Sequence, residues 1–470
     1  MTPEENQLKK EVWEAILLKK RETATELLSK AIQKKYYLYT TRHDELPEVW
    51  IFEKGIYIPQ GKTYIKEYCR KIFAVAYTEQ LANGVISKIM VDTFIEVQKF
   101  FNNNIVERIV VENGLLDLTT KELEAFDPDE IHFTKIPVIY NKEATCPTIK
   151  KFFKDVLETE EDVKAMEELF GYCLWKDAFL EQAVMCIGSG RNGKDKTLEL
   201  LKRFLGEENT KGIPLQTIEE QDFAESELFG KLANLCGELS SKTISTTGKF
   251  KAITGRSLLS ASRKFKTKID FVNYSKQIFA TNTLPKTNDT TDAFWERWIY
   301  FRFPNTFKNQ EELNELKKTK TEEEMKKFKL KDPEIIQKLI NKEEMSGLLN
   351  LALSGLDRVR ANKSFTTSKT SVEIMKFWVK ESDSFLGFCL DYLKQDPEGF
   401  ITKDVLRKRY QKYCKEHRLM PEGNKRIKFM LSKLFGAVED RKTLDDGLTY
   451  IWEGIDICSE KKDWVSLRGE

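Results

Sequence analysis

Apolar and polar positions change their rhythm several times along the chain, and each change marks an element. The first forty residues repeat apolar positions at helical spacing and read as amphipathic helix, followed by VWIFEKGIYI, whose alternation predicts a short strand pair around Gly55. Helical periodicity returns from Lys62 to about Asn102. It then gives way to short strands punctuated by Asn113-Gly114 and Asp127-Pro128, with a boundary at Cys146-Pro147. Residues 148–180 are helical in pattern. An apolar strand, Ala183 to Ile187, follows, then a glycine-rich turn and the helix TLELLKRFLG ended by Gly206. KLANLCGEL and KQIFATN supply further strands, spaced as in a parallel sheet whose working residues lie at the strands' carboxyl ends. The lysine-rich run 307–343 reads as a solvated helical connection, 344–361 as a helix closing the core, and ANKSFTTSKTS as a linker. Residues 373–470 read as three helices and a strand pair around Asp446-Gly447.

Composition narrows little. A chain of 470 residues with 40% apolar content suits two or three domains, and 77 basic against 75 acidic residues point to no partner, so charge must be read by segment. The eight cysteines show no CxxC pair and sit mostly in apolar runs, as buried thiols of a reducing compartment do. Only three histidines are present, and Cys414 with His417 reads as a solvated pair, so no zinc site is expected. No apolar run is long enough for a membrane span and no signal peptide is evident, which predicts an intracellular protein.

The chemistry begins at Gly188-Ser189-Gly190-Arg191-Asn192-Gly193-Lys194, which satisfies GxxxxGK between a strand and a helix. Its glycines let backbone amides turn onto phosphate oxygens, the helix adds its positive end, and Lys194 neutralises the outer phosphates. Asp195 and Lys196 follow, the aspartate standing where a serine or threonine hydroxyl usually meets magnesium. Glu238 ends the second strand, where it can polarise a water near magnesium, and Asn282 ends the third, a neutral amide able to orient that water. Arg297, amid the aromatics of DAFWERWIYFRFP, is either a residue stabilising charge on a transferring phosphoryl group or a buried cation–π arginine. From Lys249 to Lys268 stand seven basic residues and no acid. SRKFKTK therefore reads as a hairpin tip presenting Arg263, Lys264, Lys266 and Lys268 to DNA, with Phe265 to stack on a base and Lys251 nearby, or else as a solvated basic turn. Residues 401–442 hold thirteen Lys/Arg against five Asp/Glu. NKRIKFMLSKLFG, with Lys425, Arg426 and Lys428, followed by two strands, is a winged-helix pattern that serves nucleic acid or a protein partner.

In this order the motifs resemble the superfamily III helicases of the poxvirus and phage/plasmid primase-helicase type. GSGRNGK is similar to their Walker A loop, LANLCGEL to Walker B, KFKAITGRSLLSASRKFK to the B-prime motif that forms a DNA-gripping hairpin, and KQIFATNTLP to motif C with its sensor Asn282. FWERWIYFRFP is similar to the segment carrying the arginine finger, here Arg297. The resemblance implies an α/β fold with an AAA+-like phosphate-loop core and parallel sheet over 147–362, a mixed, mainly helical N-terminal domain over 1–146, and a winged helix over 371–470. It further implies a homo-hexameric ring that hydrolyses ATP with Mg2+ between subunits and moves 3′ to 5′ on single-stranded and forked DNA. The setting would be viral or plasmid replication in the cytoplasm, beside a separate primase or polymerase. The alternative is an origin-binding initiator that uses ATP without processive unwinding. Gly237 stands where many phosphate-loop enzymes carry a second acid beside Glu238, so Asp195 either supplies the missing magnesium-side carboxylate together with Glu238 or merely caps its helix.

Overall fold

The computed structural model describes residues 2–102, 105–240, 242–261, 269–367, 369–417, 419–444 and 447–458. The expected single N-terminal helix is two, Pro3–Leu17 and Arg21–Lys35, because Lys19 adopts a left-handed φ of 57° between them. They pack with helices Gly61–Phe73 and Glu79–Asp92 around Val12, Leu28 and Ile72, next to a sheet containing the hairpin Val49–Glu53/Ile56–Ile58. A second hairpin, Arg108–Val111/Gly114–Asp117, turns at Glu112-Asn113.

The centre of the molecule is a five-stranded, all-parallel sheet in the order Trp298–Arg302, Ala183–Ile187, Lys276–Thr281, Ala233–Cys236, Thr210–Lys211. The middle strand Lys276–Thr281 is buried along its whole length, as a parallel strand covered on both faces must be. One face packs under the helices Glu160–Leu174, Lys194–Leu205 and Lys342–Asn362. The helices Glu160–Leu174 and Lys342–Asn362 touch backbone to backbone. A Cβ on Gly355 would lie 2.5 Å from the Glu167 carbonyl oxygen, and one on Gly171 would overlap the Ala352 carbonyl.

The opposite face packs against the C-terminal unit through Trp295, Trp298 and Trp378, the last donating its indole N–H to the Pro285 carbonyl at 2.7 Å. That unit runs through helices Ser371–Ser382 and Ser384–Tyr392, strand Leu393–Thr402, helices Lys403–His417 and Asn424–Phe435, and strands Val438–Leu444 and Gly447–Ile457, the last pairing with both other strands. It therefore holds four helices where three were expected, and a strand where none was. The strand carries Asp396-Pro397-Glu398-Gly399, which reads as a turn and forms an irregularity between Gln395 and Phe400 while its flanks stay paired. The 307–343 run is also more than a helical connection, since Thr306–Lys308 pairs in parallel with Phe328–Leu330. All eight cysteines are thiols, seven of them buried. No helix among the described residues is long and apolar enough to cross a membrane.

Candidate functional site

The loop 188–193 leaves the buried strand Ala183–Ile187 and enters the twelve-residue helix Lys194–Leu205. Gly190 and Gly193 adopt φ of 91° and 93°, which β-carbons disfavour and which turn successive amides toward one side of the loop. The Asn192 side chain is folded beneath the loop. Its amide lies against Phe303 O at 3.4 Å, its carbonyl accepts from Lys194 N at 3.3 Å, and it fills the space a Cβ on Gly188 would need. Lys194 is only 4% exposed, and its ammonium donates to Gly188 O at 2.5 Å and to Asn282 Oδ1 at 2.7 Å. Burial lowers the pKa of Lys194, partly offset by the Asp195 carboxylate. Both hydrogen-bond acceptors are neutral, so an anionic oxygen is the better partner for this cation.

Glu238 lies two residues beyond the strand Ala233–Cys236, exposed, and Leu239 N joins it to the neighbouring strand by donating to Ala280 O at 2.8 Å. Asn282 follows the strand Lys276–Thr281 directly. Lys194, Asn282 and Glu238 thus come from the same end of three adjacent strands. Around them, Arg191 pairs with Glu312 at 3.1 Å and Lys196 with Glu199 at 2.8 Å, while Ser189 remains in the loop.

Asp195 is exposed in the first turn of the helix and lines a cavity of about 800 Å³ with Gly193, Phe152, Phe307, Pro333 and Ile335. Part of this wall comes from the lysine-rich segment 307–343, which reads as a solvated connection in the sequence. The apolar Phe307 and the break at Asp332-Pro333 were the available signals. Among the described residues no three His, Cys, Asp or Glu side chains cluster. Thr197, one turn on, gives its hydroxyl to Gly193 O at 3.0 Å. Such a donor set does not fit an all-protein metal cage. Magnesium carried on a triphosphate needs only one or two protein carboxylates, and Asp195 and Glu238 are the exposed acids nearest in sequence to the loop and to the strand end.

Arg297 is at the other end of the sheet. Its carbonyl accepts from Ala183 N at 2.6 Å, where the strand Ala183–Ile187 begins. The length of that strand, five residues at about 3.3 Å each, separates it from the loop of its own chain. The guanidinium donates to Ala293 O at 2.5 Å, meets Glu181 at 3.3 Å, and buries Nε without an acceptor.

The residues expected to meet DNA divide in three ways. The strands Leu258–Ala261 and Ile269–Val272 pair antiparallel, while Arg263, Lys264, Phe265, Lys266 and Lys268 lie outside the described residues. Lys251 and Arg426 are engaged by acids far away in sequence. Lys251 bonds Asp289 at 2.6 Å and Thr291 at 3.2 Å. Burial pushes the Asp289 carboxyl up, but hydrogen bonds from Lys251, Thr247 and Thr291 outweigh it and hold the group at about 2. Arg426 bonds the buried Asp383 and reaches Asn288 at 2.8 Å, clamping the C-terminal unit to the core. Lys425 and Lys428 are exposed on the helix Asn424–Phe435, Lys428 pairing with Glu439 at 2.7 Å.

Comparison with known proteins adds the following. Residues 9–158 match a family described as D5 N terminal like. Residues 186–297, from the strand Ala183–Ile187 to Arg297, match a family of unknown function, DUF5906. A protein of Acanthamoeba polyphaga mimivirus named as a putative helicase is 26% identical over 294 residues, which is 60% of this chain and 30% of that protein; the chain therefore spans about a third of that relative's length. Two apo structures of the NrS-1 C-terminal region align with 91% of this chain and 98% of theirs, at 12% and 14% identity and TM-scores of 0.45 and 0.46.

Proposed function

We propose that this chain, a relative of phage and viral superfamily III helicases, is an ATP-driven DNA helicase whose catalytic sites form between subunits of a hexameric ring. The observation that carries the reading is the Lys194–Asn282 hydrogen bond of 2.7 Å beneath a phosphate loop. It joins a phosphate-binding cation to a neutral strand-end amide, the pair that holding a terminal phosphate and its attacking water requires.

In this reading the loop amides and the helix N-terminus receive the phosphates, and Lys194 exchanges the Gly188 carbonyl for phosphate oxygens. Asn282 orients a water and Glu238 draws on its proton as the water attacks the terminal phosphorus and the bridging P–O bond breaks. Asp195 and Glu238 would hold magnesium, whose role when bound is to neutralise the charge between the outer phosphates. The cavity of about 800 Å³ beside Gly193 is large enough for the base and ribose of ATP. Arg297, too far from its own loop, would complete a neighbour's site, which makes ring assembly a condition of turnover.

The core strand order, with the phosphate-loop strand second from one edge, supports an AAA+-like core. The C-terminal order of helix, strand, two helices and hairpin supports a winged helix that offers Lys425 and Lys428 to DNA. Translocation would be 3′ to 5′ on single-stranded DNA at a fork in the host cytoplasm, with a separate primase or polymerase supplying synthesis. A fork-unwinding assay with ATP on substrates of both polarities tests the proposal. The parent displaces the strand and Lys194→Ala does not; ATP binding without displacement on either substrate overturns it.

A further inference from the structure

Asn282, bonded to Lys194 at 2.7 Å, opens a loop that runs to Thr291 and is held from several sides. Ile244 N donates to Lys286 O at 2.8 Å and Ile244 bridges in parallel to Thr287, which zips the loop to the segment that follows Glu238. Asp289 takes Lys251 at 2.6 Å, from the helix Gly248–Thr254 that leads into the basic hairpin. The remaining contacts come from the C-terminal unit. Trp378 donates its indole N–H to Pro285 O, Lys286 pairs with Glu422 at 2.6 Å, Arg426 reaches Asn288 Oδ1 at 2.8 Å, and the Lys433 ammonium donates to Asn288 O. One loop thus starts at the candidate ATP site and ends on the helix Asn424–Phe435.

These contacts differ in how easily they give way. Trp378 is buried, and Arg426 is tied at the same time to the buried Asp383, so both stay in place. Lys433 is exposed on the side of its helix that carries Lys425 and Lys428, and its acceptor in the loop is a neutral carbonyl. A phosphate oxygen is the stronger partner for such an ammonium, because both ends of the bond are then charged. We infer that Lys433 is a further DNA-backbone contact and that its engagement regulates the ATP site: a phosphate that takes Lys433 frees the Asn288 main chain, and the loosened loop lets Asn282 leave Lys194 for the attacking water. Without DNA, the hold on Asn288 keeps Asn282 on Lys194 and restrains turnover. The helix Asn424–Phe435 is in this way a positioning element for a residue on another unit, and Lys433 is where binding and hydrolysis meet.

The inference rests on the helicase reading, and the experiment separates the two. ATP turnover with and without a forked DNA oligonucleotide, and the salt dependence of that oligonucleotide's affinity by fluorescence anisotropy, are measured on the full chain for the parent, Lys433→Ala and Glu422→Gln. Lys433→Ala is expected to lower the slope of log affinity against log salt by about 0.9, the loss of one phosphate contact. It is also expected to raise turnover without DNA about fivefold, so that stimulation by DNA shrinks. Glu422→Gln loosens the same loop at Lys286 without removing a cation. It raises turnover without DNA and leaves the salt slope at the parent's value, and it decides the coupling if Lys433→Ala lowers the melting temperature. Damage to the fold would lower turnover, so a gain marks the release of a restraint. DNA-free turnover that stays the same or falls in both variants, or a parent salt slope kept in Lys433→Ala, overturns the inference and leaves the helicase reading standing. A parent that does not turn over ATP with or without DNA overturns both.

Discussion

The two ends of the central sheet handle charge in opposite ways. At the carboxyl end, Lys194 is bonded to a backbone carbonyl and a side-chain amide, and Glu238 and Asp195 are exposed. At the amino end the charges are paired: Arg297 with Glu181, and Arg256 with Asp177 at 2.5 Å. A cation held by neutral acceptors is poised for an anion, whereas one held by a carboxylate must exchange a partner before it acts elsewhere. The first end is therefore suited to receive a ligand within one chain, and the second to be released when another surface arrives.

Arg297→Ala bears on this contrast most strongly: DNA-stimulated ATP turnover falls about a thousandfold, while nucleotide affinity stays near that of the parent. Mixing Arg297→Ala with Lys194→Ala subunits restores part of the turnover if the arginine serves a neighbour, and none if each chain completes its own site. Lys194→Ala alone lowers turnover at least about a hundredfold and, unlike Arg297→Ala, weakens nucleotide binding as read by a fluorescent analogue. Gly355→Ala touches neither end. It forces a methyl against the Glu167 carbonyl and costs about 2 kcal/mol in denaturant unfolding, with turnover per folded molecule retained. Asp195→Ala lowers turnover about tenfold at limiting magnesium and recovers as magnesium rises, with Asp195→Ser between it and the parent. Identical magnesium dependence in all three removes Asp195 from the metal.

The smallest effect is in pH. Asp289 is held at about 2 against an ordinary 3.8, so its bonds to Thr247 and Lys251 contribute stability above the ordinary value and lose it as pH falls through the lower one. The difference in melting temperature between the parent and Asp289→Asn is accordingly constant near neutrality and closes as pH approaches 2.

The strand, glycine-rich loop and helix over 183–205 were legible in the sequence because glycine spacing, a lysine and the flanking strand–helix switch are all local. So were the strand-end positions of Glu238 and Asn282, each following an apolar run. The destinations of Lys251 and Arg426 were not, since a basic residue in a basic segment reads as solvent-facing until its acid is located, and Asp289 and Asp383 lie outside those segments. The cavity wall from Phe307 to Ile335 was hidden for a related reason: its few apolar side chains are diluted among lysines whose charged ends reach water. The strand Leu393–Thr402 was concealed by a turn-like tetrapeptide that the sheet accommodates as an irregularity.

The glycine contacts between the helices Glu160–Leu174 and Lys342–Asn362 carry a mechanical consequence. With Gly171 set against the Ala352 carbonyl and Gly355 against Glu167, sliding either helix by one residue would drive a side chain into a main-chain oxygen. The two helices are cogged and bear shear without slipping.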